Sequence, residues 1–60
     1  MINLTYCKAA ELFDKGHLIC IKSAIDEQGI DFDNRDASSL QEILDLWYDD
    51  SDGEISYWLY

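Results

Sequence analysis

The stretch that decides the fold is "HLICIKSAIDEQ", His17–Gln28. Leu18, Ile21 and Ile25 recur at helical spacing, Cys20 and Ala24 flank them, and Gly29 follows where a left-handed residue would close a helix. Against that, Leu18–Ile21 is an apolar, β-branched run that also reads as a short buried strand. Periodicity alone does not separate the two in so short a run. The spacing favours a helix over residues 17–28, with the strand as the alternative. On the helical reading Ile30–Phe32 is a short extended link, and Asp33–Asp36, rich in Asp and Asn, is a turn.

Working outward, residues 5–16 read as a helix. Thr5 suits the N-cap, Tyr6, Ala9, Ala10 and Phe13 lie on one apolar face, and Glu11 and Lys15 form an i,i+4 pair. Gly16 is placed to terminate it. Residues 39–49 read as a second helix, opened by the capping box Ser39-x-x-Glu42. Leu40, Ile43, Leu44 and Trp47 are its expected buried stripe, with Glu42, Asp45 and Asp49 on the other side. Asp52–Gly53 is a turn signal. Ile55, Tyr57 and Leu59 then alternate with Ser56, Trp58 and Tyr60, a terminal strand with which Ile2 and Leu4 could pair. The expected fold is one small α+β domain over residues 1–60: two or three helices with a short terminal β-hairpin or strand pair. The alternative is an all-α bundle with an extended tail.

A chain of 60 residues buries only ~60% of its unfolded surface, so its stability is thin. The absence of proline and a 48% hydrophobic content, with two Trp, four Tyr and two Phe, argue for a packed core and against disorder. Met1–Thr5 lacks the basic and apolar regions of a secretory signal, and the run Leu18–Ile21 is far too short to span a bilayer. The expectation is a cytoplasmic protein in which Cys7 and Cys20 are reduced thiols that serve packing.

The net charge of −9 is uneven. Residues 1–25 carry Glu11 and Asp14 against Lys8, Lys15 and Lys22; residues 26–60 carry eleven acids against Arg35 alone, a balance of −10. That field repels nucleic acid and anionic membrane alike, so neither is an expected partner. A basic protein surface is.

Few constellations suggest chemistry. Asp31–Glu42 has the length of a calcium-binding loop, with Asp31, Asp33, Ser39 and Glu42 at ligand positions. Arg35 and Asp36 stand where that loop wants a ligand and a glycine. Cys7, His17 and Cys20 fall short of the four donors of a structural zinc site. One histidine, no nucleophile elbow and three isolated glycines give no catalytic or phosphate-binding pattern. The expectation is no enzyme, no metal and no cofactor.

An acidic face also keeps a small protein soluble, and that is its plainest explanation. The lopsided balance favours a sharper one. Carboxylates on one helical face lie ~5–6 Å apart, a spacing of the order of neighbouring phosphates. Glu42, Asp45, Asp49, Asp50, Asp52 and Glu54 could make one such row, and Asp26, Glu27, Asp31, Asp33 and Asp36 a second. The expected partner-binding residues are Asp45, Asp49, Asp50, Asp52 and Glu54, with Trp58 as apolar anchor, followed by Asp31, Asp33 and Asp36. In size and charge the chain is similar to small acidic phage proteins that disarm bacterial nucleic-acid enzymes, such as anti-restriction proteins, anti-CRISPR proteins and inhibitors of repair glycosylases. No motif carries that likeness. The implied function is an inhibitor that mimics nucleic-acid phosphates. The alternatives are an antitoxin or immunity-type partner bound through its aromatics, a calcium-binding domain, and a homodimer joined through its terminal strand.

Overall fold

His17–Gln28 is not helical. In the computed structural model, which describes residues 1–60, Ile19–Ser23 is a strand, Ala24 and Ile25 turn, and Asp26–Phe32 is the strand that returns. The full order is β1 (Ile2–Leu4), α1 (Tyr6–Asp14), β2 (Ile19–Ser23), β3 (Asp26–Phe32), α2 (Leu40–Trp47), a 3-10 turn at Asp50–Asp52, and β4 (Ile55–Leu59). The fold is therefore α+β, with two α-helices; the all-α alternative fails.

The strands form one sheet in the order β1-β4-β2-β3, with every neighbouring pair antiparallel. It follows that β1 and β2 run parallel, joined through α1, with β4 between them. Likewise β3 and β4 run parallel, joined through α2, with β2 between them. Two split β-α-β units interlock. The terminal pairing expected from the alternation is present: Ile2 opposes Leu59 and Leu4 opposes Tyr57.

The physical reason for the failed helix lies in β2's neighbours. Flanked by β4 and β3, this strand is buried on both faces: Ile19, Cys20, Ile21 and Ser23 are all buried. Such strands read as continuous apolar runs, and a continuous run also satisfies a helical period. Gly29 is not a helix stop either. Between the pairs Ile21–Ile30 and Ser23–Asp26 the register shifts, leaving Glu27, Gln28 and Gly29 opposite Lys22 alone. Gly29 takes up this bulge at φ +80°. Asp26 Oδ1 accepts from Gly29 N, and the buried Ser23 Oγ accepts from Asp26 N.

Local signals set the helix ends. Thr5 Oγ1 accepts from Lys8 N. At the other end Gly16, φ +91°, donates to Phe13 O and His17 N donates to Leu12 O, the paired bonds of a Schellman stop. Ser39 Oγ accepts from Glu42 N, whereas the Glu42 carboxylate reaches back to Ser38 N and Oγ, one residue short of a full capping box. Both helices cover one face of the sheet. Ala9 and Phe13 from α1, Leu40 and Ile43 from α2, and Ala37 just before α2 pack on Ile19, Ile21 and Phe32. The other face is bare of helices. Asn3, Trp58, Cys20 and Asp31 cross it in register, with Lys22 and Ser56 beside them.

Candidate interaction surface

The topology sorts the carboxylates. β2 and β4 are antiparallel, so the turn after β2 meets the segment that enters β4: Ala24 N donates to Asp52 O at 3.2 Å. Asp26 and Asp52 both lie close enough to Tyr48 to push its phenol pKa up, after the larger effect of burial. Asp49, Asp50, Asp52 and Glu54 therefore gather at the end of the sheet where Asp26 and Glu27 begin β3. Asp31, Asp33 and Asp36 lie at the other end of that strand, beside the C-terminal end of α1, where Asn34 Nδ2 donates to Asp14 O. The second expected row is thus split in two, because β3 carries its first and last acids in opposite directions. Asp45 sits apart from both groups on the exposed side of α2, accepting from Gln41 Nε2 at 3.1 Å.

Of the eleven acids after residue 25, only Asp33 has an ionic partner. Arg35 Nη2 stands 2.9 Å from its Oδ2 and holds the Asp33 carboxyl below the usual range. The other two ion pairs join Lys8 and Lys15 to Glu11, within the first half of the chain. Several of the remaining acids are engaged by neutral donors. Asp49 and Asp52 make a reciprocal box around the 3-10 turn: Asp49 accepts from the N–H of Ser51, and Asp52 Oδ2 accepts from Asp49 N at 2.7 Å. The Ser51 hydroxyl also donates to Asp49, and these bonds, led by that hydroxyl, depress the Asp49 pKa. Asp36 accepts from Asp33 N. Asp50 and Glu54 are exposed, and neither side chain takes part in a hydrogen bond or an ion pair.

The two tryptophans exchange their expected places. Trp58, expected as a free anchor, is half-buried on the bare face of the sheet. Lys22 Nζ lies 4.7 Å from its ring centre, and its Nε1 donates to Ser56 Oγ at 2.9 Å. Trp47, expected in the core, is 61% exposed, and the preceding Leu46 is 68% exposed. Trp47 keeps the correct helical angle, but it lies in the last turn of α2, where Phe32 packs against it in a tilted pair with ring centres 5.9 Å apart. Leu46 lies off the apolar stripe, as the period requires; the exposure of Trp47, which lies on it, could not be read from periodicity, because the period does not say where the packing partners of a stripe end.

On the bare face Tyr60 Oη donates to Asp31 Oδ1 at 2.7 Å. Cys20 is buried there, and burial pushes its thiol pKa up; Cys7 is exposed on α1. The calcium-loop window does not keep its geometry: Asp31 belongs to a strand and not to the end of a helix, and its carboxylate is held by Tyr60. No group of three His, Cys, Asp or Glu side chains is arranged to hold a metal ion, and the surface has no pocket. No helix is long and apolar enough to cross a membrane. No family model, curated protein or solved structure matches this chain.

Proposed function

We propose that this protein is an acidic interaction module that binds a basic protein surface, and that it acts as an inhibitor by occupying the nucleic-acid-binding channel of an enzyme or complex. The observation that supports this reading is the uncompensated charge: ten of the eleven acids after residue 25 have no basic partner within the molecule. Holding them together costs stability in a domain this small, and a basic partner would offset that cost. The Asp49–Glu54 group, joined by Asp26 and Glu27, is the densest part of the field. Glu27, Asp50 and Glu54 supply its freest carboxylates. A channel built for phosphates would attract such a group by long-range steering, with association that weakens steeply as salt rises.

The test begins with affinity capture from the host and mass spectrometry, followed by binding titrations on the purified pair. A nucleic-acid enzyme as the main partner, affinity that falls with salt, and displacement by DNA or RNA are the expected results. Affinity that is flat between low and high salt, or a ternary complex with nucleic acid, would sink the reading. A second reading, an immunity-type partner for one specific toxin, is favoured by the exposure of Leu46 and Trp47. In that case nucleic acid would not compete.

A further inference from the structure

We infer that the docking surface is centred on the last turn of α2 and the adjoining edge of β3, and that it fits a basic protein segment presenting an apolar side chain between lysines or arginines. This rests on the reading of a basic partner and names where and how that partner is gripped.

Leu46 and Trp47 are neighbouring large apolar side chains left open at the end of α2. The Phe32 ring packs against Trp47 in a tilted pair with centres 5.9 Å apart, while most of the Trp47 surface stays exposed. An aromatic packed on a neighbour in this way anchors an interface at small entropic cost. Ile30 projects from the same side of β3 as Phe32 and is itself 45% exposed, extending the apolar strip along the sheet edge. Carboxylates frame the strip. Glu42 lies one helical turn before Leu46, Asp45 adjoins it, and Asp49 and Asp50 follow Trp47; Asp33, just past Phe32, is already paired with Arg35, and Asp31 faces the other side of the sheet. Neither α2 nor β3 contains a lysine or arginine.

That frame selects the occupant. A neutral apolar ligand would leave the acids unused. A second copy of the chain would bring the same acids into contact with themselves, which disfavours self-association here. A segment with an apolar residue among basic ones satisfies both the strip and its rim. Trp58 is the wrong indole for the task, since Lys22 already lies over it.

The test uses calorimetry with two synthetic probes of equal charge: an amphipathic leucine–lysine peptide and an oligolysine. The unaltered chain is expected to bind the leucine–lysine peptide about tenfold more tightly or better. Trp47→Ser and, separately, Leu46→Ser should remove that preference and leave oligolysine binding unchanged, with circular dichroism confirming that each variant is folded. Leu46 serves as the second variant because it makes less contact than Trp47 and is the safer substitution. If both folded variants keep the full preference, or the unaltered chain binds the two probes equally, the inference is overturned while the acidic reading stands. If the unaltered chain binds neither probe at low salt, the reading of a basic partner falls and takes this inference with it.

Discussion

A side chain on Gly29 would collide with Cys20: a Cβ built there lies 2.7 Å from the Cys20 sulfur, and 2.9 Å from both Ile21 O and Lys22 Cγ. The bulge in β3 thus brings its backbone onto the central strand more closely than any other residue type permits, and at a positive φ as well. Gly29→Ala should cost about 2–4 kcal/mol, combining left-handed strain with overpacking against backbone. Total stabilities of about 0.05–0.15 kcal/mol per residue leave little beyond that. Chemical denaturation is the measurement. A destabilisation below about 1 kcal/mol, no more than the left-handed backbone alone would cost an alanine, would mean the close approach does not exist.

The acids around the 3-10 turn should separate into two kinds. Asp49→Ala and Asp52→Ala remove the reciprocal box and should lower the melting temperature by a few degrees. Asp50→Asn and Glu54→Gln should not lower the melting temperature, and relief of repulsion should raise it slightly; both should weaken partner binding, most visibly at low salt. Melting curves and binding titrations on the same four variants would show whether the separation holds.

The box also carries a pH signature. Asp49 titrates below the usual carboxylate range, so its contribution is present above the unfolded value, about 3.9, and is lost as pH falls through the depressed native one. Carboxylate resonances followed by NMR should show Asp49 titrating at lower pH than Asp in an unfolded peptide. Ser51→Ala, which removes the hydroxyl donor but keeps the N–H, should move it part of the way back.

At alkaline pH the signature belongs to Tyr60. Its hydrogen bond to the Asp31 carboxylate favours the neutral phenol and raises the pKa. The stabilisation from this bond is complete below the unfolded value, about 10, and is lost as pH rises through the higher native value. Burial raises Tyr48 and Tyr57 too, so the phenolate absorbance must be read as a difference against Tyr60→Phe. Asp31→Asn should shift the Tyr60 step down towards the ordinary range; an unmoved step would show that the bond does not form in solution.

Added sodium chloride should raise the melting temperature. Ten uncompensated acids repel one another in the native state, and screening shortens the reach of that repulsion to about 3 Å at 1 M. A melting temperature that falls with salt would mean that the three ion pairs outweigh the repulsion.

Helix caps and strand alternation were legible locally, although Gly29, placed like a helix stop, belongs to a bulge. Thr5, Gly16 and Ser39 mark helix ends because a cap is a bond between residues three or four apart. The alternation of Ile55, Tyr57 and Leu59 marks a strand with one face on the core, and the count of acids fixes the sign of the field. The sequence by itself thus determined where α1 and α2 begin, that both termini are strands, and the sign of the net charge. Only the tertiary structure decided that Ile19–Ser23 is a central strand, since the apolar run there satisfies both periods and the choice falls to β4 and β3, which lie far along the chain. It also decided that Trp47 and not Trp58 stands open, and that Asp26 and Asp31, five residues apart, serve opposite ends of the sheet. The reason is the same in each case: burial and proximity are set by which strands pair, and pairing is a long-range choice that no short window of residues contains.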